Sequence, residues 1–217
     1  MKDIKKVHDF VKNKTAIIVG PSASLKGSNM GEFIDSFNVV VRLNNYFKID
    51  EKDEKDIGKR TDILYHCFGL GDNKDKADPN EWKEIKYIIF CNKPENQKLK
   101  LKKFLEKFNY YNFYIQEESF LNKIQMKTNL HLHTGVTSIF HLLSLPFKEV
   151  HALGFSFYRD TYIGIKEEWS KEKSIKHSKN VGHDIEKELK FFLNEIKNYN
   201  NFYPHGILED IIKGKIK

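Results

Sequence analysis

The chain has 217 residues, a formal net charge of +7 and a sequence pI near 9.1. Hydrophobic residues at 40% and aromatics at 13% exclude a disordered tail, and the length suits one domain with a sizeable core. Its lysines are dispersed among acids, as in "EKDEKDIGKR" and "KEEWSKEKSIKHSK". That argues against a nucleic-acid binder, whose charge gathers on one face, and for a solvated surface suited to anionic ligands or peripheral membrane contact.

In chain order, the N-terminus "MKDIKKVHDFVKNK" is too polar for a signal peptide. No run of about 20 apolar residues follows anywhere, so a soluble, cytoplasmic protein is expected. Residues 15–19 are a short β-branched run read as a strand buried on both faces. A short helix is expected over 31–37, a second strand over 38–43, a charged loop over 45–60 and a third strand over 62–68. The loop "GLGDNKDKADPN" then leads to a helix over 79–85, with Asp78 as its cap. Strands over 87–91 and 112–115 alternate with helices over 95–108 and 118–127. Cys67 and Cys91 lie within apolar runs, where buried thiols rather than a disulfide framework are expected.

Past "LHLHTG" a helix over 136–145 is ended by Pro146, and "EVHALGFSF" holds the next strand. In "DIEKELKFFLNEIKNY" the apolar residues Ile185, Leu189, Phe192, Leu193, Ile196 and Tyr199 form one helical stripe. Strands separated by helical segments predict a single α/β domain over 1–217, Rossmann-like, with a mostly parallel sheet flanked by helices.

In such sheets ligands bind beyond the carboxyl ends of the strands, against helix N-termini. Three places there could carry chemistry. The loop Gly20-Pro21-Ser22-Ala23-Ser24 reads either as an ordinary strand-to-helix turn or as an anion cradle of small residues and hydroxyls. It is neither a P-loop nor a dinucleotide fingerprint. Thr134-Gly135 opens a helix, where Thr134 is a natural N-cap and the free amides suit a phosphate or carboxylate. His131 and His133 alternate as on one strand face, but a metal site needs a further ligand that the sequence does not identify. His177 and His183 precede the last helix. Either they are surface or capping residues, or His183 is a general base, with Glu186 as the local carboxylate partner and Asp184 as the helix cap.

Taken together and in order, these places resemble the eukaryotic-type sialyltransferase family. "GPSASL", "GEFID", "VVRLN" and "GKRT" fill the places of its large motif, and "HTGVTSIFHLLSLPFKEVHALGFSF" those of its small motif. The very short His-x4-Glu motif is matched by His183 and Glu188. The resemblance implies a GT-A-like variant fold, with a nucleotide-binding part over 15–92 and a donor, acceptor and base part over 130–200. It also implies an inverting transfer of an acidic sugar from its CMP donor to a glycan or glycolipid hydroxyl. Gly20, Pro21, Ser22 and Ser24 would then lie along the CMP with Asn44, and His133, Thr134 and Gly135 would bind the donor's nucleotide part. His183 would be the base, and His177, Tyr158 or Tyr162 a second phosphate contact.

The departures are specific. Pro21 and Ser24 stand where the family has asparagines, His133 stands for a serine, and the family's disulfide has no counterpart. These mark a divergent microbial or viral relative. Neither cofactor nor metal is expected, because a CMP leaving group carries little charge and amides, hydroxyls and one imidazolium can stabilise it. No Asp-x-Asp ends a strand, and "DNKD" at 72–75 reads as a solvated turn. A CMP-Kdo donor, a noncatalytic CMP-binding module and a basic polyanion binder are the alternatives.

Overall fold

A computed structural model describes residues 4–67, 79–91, 95–108, 112–163, 168–180 and 182–216. Its sheet has the order β5-β4-β3-β2-β1-β6-β7. The strands are β1 (Thr15–Val19), β2 (Val39–Leu43), β3 (Ile63–His66), β4 (Tyr87–Phe90), β5 (Phe113–Ile115), β6 (Glu149–Leu153) and β7 (Phe202–Pro204). Every pairing is parallel, with Ile17 aligned to Val40 on one side and to His151 on the other. The sheet is thus wholly, not mostly, parallel.

Alternation along the strands sends Ala16, Ile18, Val39, Val41, Ile63 and Tyr65 to one face, and Ile17, Val19, Val40 and Leu64 to the other. The first face is covered by α1 (Ile4–Val11), α6 (Thr134–Ser144), α8 (Ile185–Glu195) and α9 (Ile207–Ile212), with α5 (Glu118–Thr128) at its margin. The second carries α2 (Gly31–Asp35), α3 (Glu54–Ile57) and α4 (Glu95–Lys107). Side chains such as Ile17, Ile18, Val40 and Val41 are fully buried, each contributing about 1.5–3 kcal/mol. One polar strut crosses the larger core. His141 of α6 meets the Tyr65 hydroxyl at 2.6 Å and Glu117 at 3.0 Å.

Several expected boundaries move. β6 stops at Leu153 because Gly154 turns the chain at φ +76°. The region 45–60 is not plain loop but short 3-10 turns and α3. The helix expected over 79–85 is a single 3-10 turn, Pro79–Trp82, and the last long helix ends in a 3-10 turn after Glu195. α1, α7 (Lys171–Asn180), α9 and β7 had no clear signal. α1 hides two valines, Val7 and Val11, in a polar segment, and β7 is a three-residue edge strand containing Pro204. Cys67 and Cys91 are half-buried rather than buried, and neither is in a disulfide. The Asp78 cap and the 72–75 turn lie outside the described residues.

The apparent motif pieces "GEFID", "VVRLN" and "GKRT" form one hydrogen-bonded knot. The Asp35 carboxylate accepts from the amides of Lys59 and Arg60, and the Arg60 guanidinium returns to the Asp35 and Phe37 carbonyls. Arg42, 1% exposed, donates to the carbonyls of Ile57, Gly58 and Arg60. Burial pulls its guanidinium down to about 10, still charged at neutral pH. These residues hold the 57–60 turn beneath β2.

Candidate active site

The chain steps outward from β1 to β5, then returns to the other side of β1 at β6. That reversal places a crevice beyond the carboxyl ends of β1 and β6. Helices α6 and α8 each precede a parallel strand, so their N-termini open onto the same edge of the sheet. The distant segments 20–25, 133–135, 154–163 and 183–188 therefore meet there.

The 20–25 loop is sewn to the 154–163 loop by backbone. Gly20 N–H donates to Leu153, Ser22 N–H to Gly154, Ala23 N–H to Thr161, and Ile163 N–H to the Pro21 carbonyl. A Cβ on Gly20 would stand 2.3 Å from the Gly154 carbonyl oxygen, so glycine is required there by the backbone crossing itself. Gly135 similarly lets α6 approach Phe155, whose ring would lie 2.8 Å from an added Cβ. The expected anion cradle does hold an anion, and it is the chain's own. The Ser22 hydroxyl and the Ser24 N–H both donate to the Asp160 carboxylate, and Ser24 Oγ lies 2.6 Å from Ser22 Oγ. Asn44, at φ +49°, accepts from the Cys67 N–H at 2.8 Å and so ties the ends of β2 and β3.

Beyond Gly154 the chain takes two consecutive left-handed residues, Phe157 (φ +48°) and Tyr158 (φ +62°). Aromatic residues in that region cost about 1–3 kcal/mol each, a strain typical of functional loops. The turn brings the Tyr158 hydroxyl within 2.9 Å of His133 Nε2. Burial raises the Tyr158 phenol, keeping it neutral and able to donate.

His133, not Thr134, is the N-cap residue of α6, and it makes no side-chain cap bond. Thr134 is the first helical residue, leaving the opening amides of α6 without intrahelical acceptors. The His133 N–H and Nδ1 bond the two oxygens of Glu188 at 2.7 and 2.9 Å, and Nε2 lies 2.8 Å from Ser178 Oγ. The carboxylate partner of an imidazole is thus Glu188, and the imidazole is His133. Glu186, expected as the partner of His183, only lines the same cleft as that ring. Asp184 caps α8 as expected, accepting from Lys187 N–H.

His183 bonds through Nδ1 to the His131 carbonyl at 2.6 Å. With Nδ1 carrying the proton, Nε2 keeps its lone pair. Burial, then the charge of His133, lowers His183 to about 4, so it is neutral at physiological pH. It lines a cleft of about 760 Å³ together with Tyr158, Arg159, Lys171, Lys179 and Glu186. His177 is exposed on α7, with its ring 5.2 Å from Trp169. Its charge is a minor contribution to the lowering of His183.

His133, His183 and Glu188 are close enough together to hold a cation. The two rings, however, stack at 3.7 Å and 21°, so their planes do not converge on a common point. Imidazole ligands bind a metal in the ring plane, and this geometry does not suit one.

Sequence reasoning missed Asp160, Ser178 and the pairing of Glu188 with His133. Ser178 and Asp160 lie in charged or irregular stretches that carry no periodic signal.

A family model described as glycosyltransferase family 29 (sialyltransferase) matches residues 3–133. No curated protein matches the chain. Among solved structures, a mammalian sialyltransferase in complex with Gal-beta-1-3GalNAc-ortho-nitrophenol is 18% identical with a TM-score of 0.63, covering 94% of this chain and 74% of that one. The sialyltransferase CstII from Campylobacter jejuni, in complex with cytidine-5'-monophosphate, is 18% identical with a TM-score of 0.55, covering 89% and 80%. The same enzyme with CMP-3FNeuAc gives 18% and 0.55, covering 88% and 80%. At such identities the likeness to these structures is one of fold.

Proposed function

We propose that this chain, which belongs to glycosyltransferase family 29, the sialyltransferases, transfers a sialic acid from its CMP donor to a glycan hydroxyl with inversion, using His183 as general base. The observation that carries this reading is the orientation of His183. Its Nδ1 proton is fixed on the His131 carbonyl, and its ring lines the cleft at the carboxyl edge of the sheet.

In the reaction, the bond from the anomeric carbon to the CMP phosphate oxygen breaks as the acceptor oxygen attacks from the opposite face. The acceptor's proton passes to His183 Nε2. Arg159, Lys171 and Lys179 line the same cleft and favour a substrate that carries a carboxylate and a phosphate. The opening amides of α6, at Thr134 and Gly135, suit the leaving phosphate. Hydrogen-bond donors of this kind can carry the developing charge without a divalent cation. Among the described residues no helix is long and apolar enough to cross a membrane.

The test is donor turnover. The purified chain is incubated with CMP-sialic acid or CMP-Kdo, with and without EDTA, and released CMP is measured. Release from CMP-sialic acid that EDTA does not change supports the reading. Release from CMP-Kdo alone reassigns the donor, and CMP binding without release from either makes the protein a nucleotide-binding module.

A further inference from the structure

His183 sits between two other imidazoles. Its ring stacks on His133 at a centroid distance of 3.7 Å and 21°, and on His131 at 4.5 Å and 26°. Side chains two residues apart on an extended segment leave the same side roughly 7 Å from each other, which is room for one flat ring. "HLH" at 131–133 is therefore a slot, and His183 fills it.

His133 is itself held on every side. Its N–H and Nδ1 are bound to Glu188, and Nε2 meets the hydroxyls of Ser178 and Tyr158. Glu188 is 2% exposed, and a buried carboxylate is tolerated there because both its oxygens are bonded. Glu188 belongs to the first turn of α8, and His183 lies just before that helix. The start of α8 thus grips His133 at one end with a carboxylate and covers its ring at the other. With these polar atoms engaged inside the protein, His133 has little left for a nucleotide. A serine at this place could not fill the gap beside His183.

We infer that His133, fixed by Glu188 and aided by His131, is the positioning residue of His183, setting the plane of the ring whose Nε2 receives the acceptor's proton. The inference rests on the proposed base role of His183. His131 supplies the tautomer through its carbonyl, and His133 supplies the orientation. Stacking also places a titratable neighbour against the base. The other charged or titratable groups around His183 are His131, His177 of α7, Asp184 and Glu186 at the start of α8, and Arg159, Lys171 and Lys179 across the cleft.

The test uses the full chain as wild type, His133→Ser and Glu188→Gln. It reads the NMR titration of His183, the pH profile of turnover and CMP affinity by calorimetry. In His133→Ser the His183 titration and the acid limb of turnover move to higher pH, because a neighbouring cation is lost; in Glu188→Gln the titration also moves, since a carboxylate beside both rings is neutralised. At pH 8, where His183 is deprotonated in every form, kcat falls about tenfold from misorientation alone. CMP affinity stays within about twofold.

A tenfold loss of CMP affinity with kcat unchanged would overturn the inference and make His133 a donor contact. An unmoved His183 titration in variants that fold would overturn it as well. Should His133→Ser not fold, Glu188→Gln keeps the volume and gives the kcat and CMP readings. Failure of the base role shows separately, as wild-type turnover in His183→Ala, and takes the positioning role with it. An unmoved titration with His183→Ala inactive overturns the positioning role alone.

Discussion

The Ser22 hydroxyl donates to the Asp160 carboxylate, and the Ser24 N–H joins it at 3.0 Å. The small-residue loop after β1 therefore binds an anion supplied by the loop after β6. This pins the two walls of the crevice to each other. Replacing Asp160 with Ala removes the acceptor of two charge-assisted hydrogen bonds and releases the 20–25 loop. CMP affinity is expected to weaken about tenfold, or about 1.4 kcal/mol, with Asp160→Asn in between. Calorimetry with CMP decides the matter: tighter binding in Asp160→Ala would show the carboxylate to be a competitor of the donor phosphate.

His183→Ala is expected to lower kcat by about 10² to 10⁴, the usual contribution of a general base. CMP should still bind to the variant, since the proposed role of the side chain is toward the acceptor hydroxyl and not the nucleotide. Steady-state transfer assays and CMP calorimetry on the same preparation separate the two effects. Unchanged turnover would exclude the base.

The pH dependence follows from the same ring. Burial and the neighbouring His133 hold His183 down to about 4, against an ordinary 6.5. A depressed imidazole is favoured neutral by the fold. Its stabilising contribution is whole above pH 6.5 and is lost as the pH falls through about 4. The acid limb of kcat/KM, which reports the free enzyme, should therefore lie near pH 4. Circular dichroism at each pH checks that the fold persists. A limb near 6.5 would mean that the ring is solvated.

Arg42 is a structural residue whose guanidinium is taken up by backbone carbonyls. Truncating it to Ala leaves the carbonyls of Ile57, Gly58 and Arg60 without their donor and should cost about 3 kcal/mol. Urea denaturation of Arg42→Ala measures this directly, and a loss under about 1 kcal/mol would mean that water replaces the guanidinium.

Gly20→Ala should also destabilise, by about 1–3 kcal/mol, because the new methyl would meet the Gly154 carbonyl oxygen at 2.3 Å. A thermal melt reads the change. A neutral result would mean that the β1 and β6 loops can separate.

The sequence by itself determined the α/β architecture, because short β-branched runs such as "TAIIV" and "VVVRL", set between turn residues and alternating with helical segments, favour strands buried on both faces. It also singled out "GPSASL", "HTG" and "HDIEKE", three segments that the fold places at the carboxyl edge of the sheet. What each residue there does was decided by tertiary structure. Spacing along one helix paired His183 with Glu186, whereas packing between α6 and α8 paired Glu188 with His133. A hydroxyl loop looked ready for a phosphate until the far side of the crevice supplied Asp160. Period and propensity act over a few residues, but hydrogen-bond partners here are separated by as many as 138 positions, and only the folded chain brings them together.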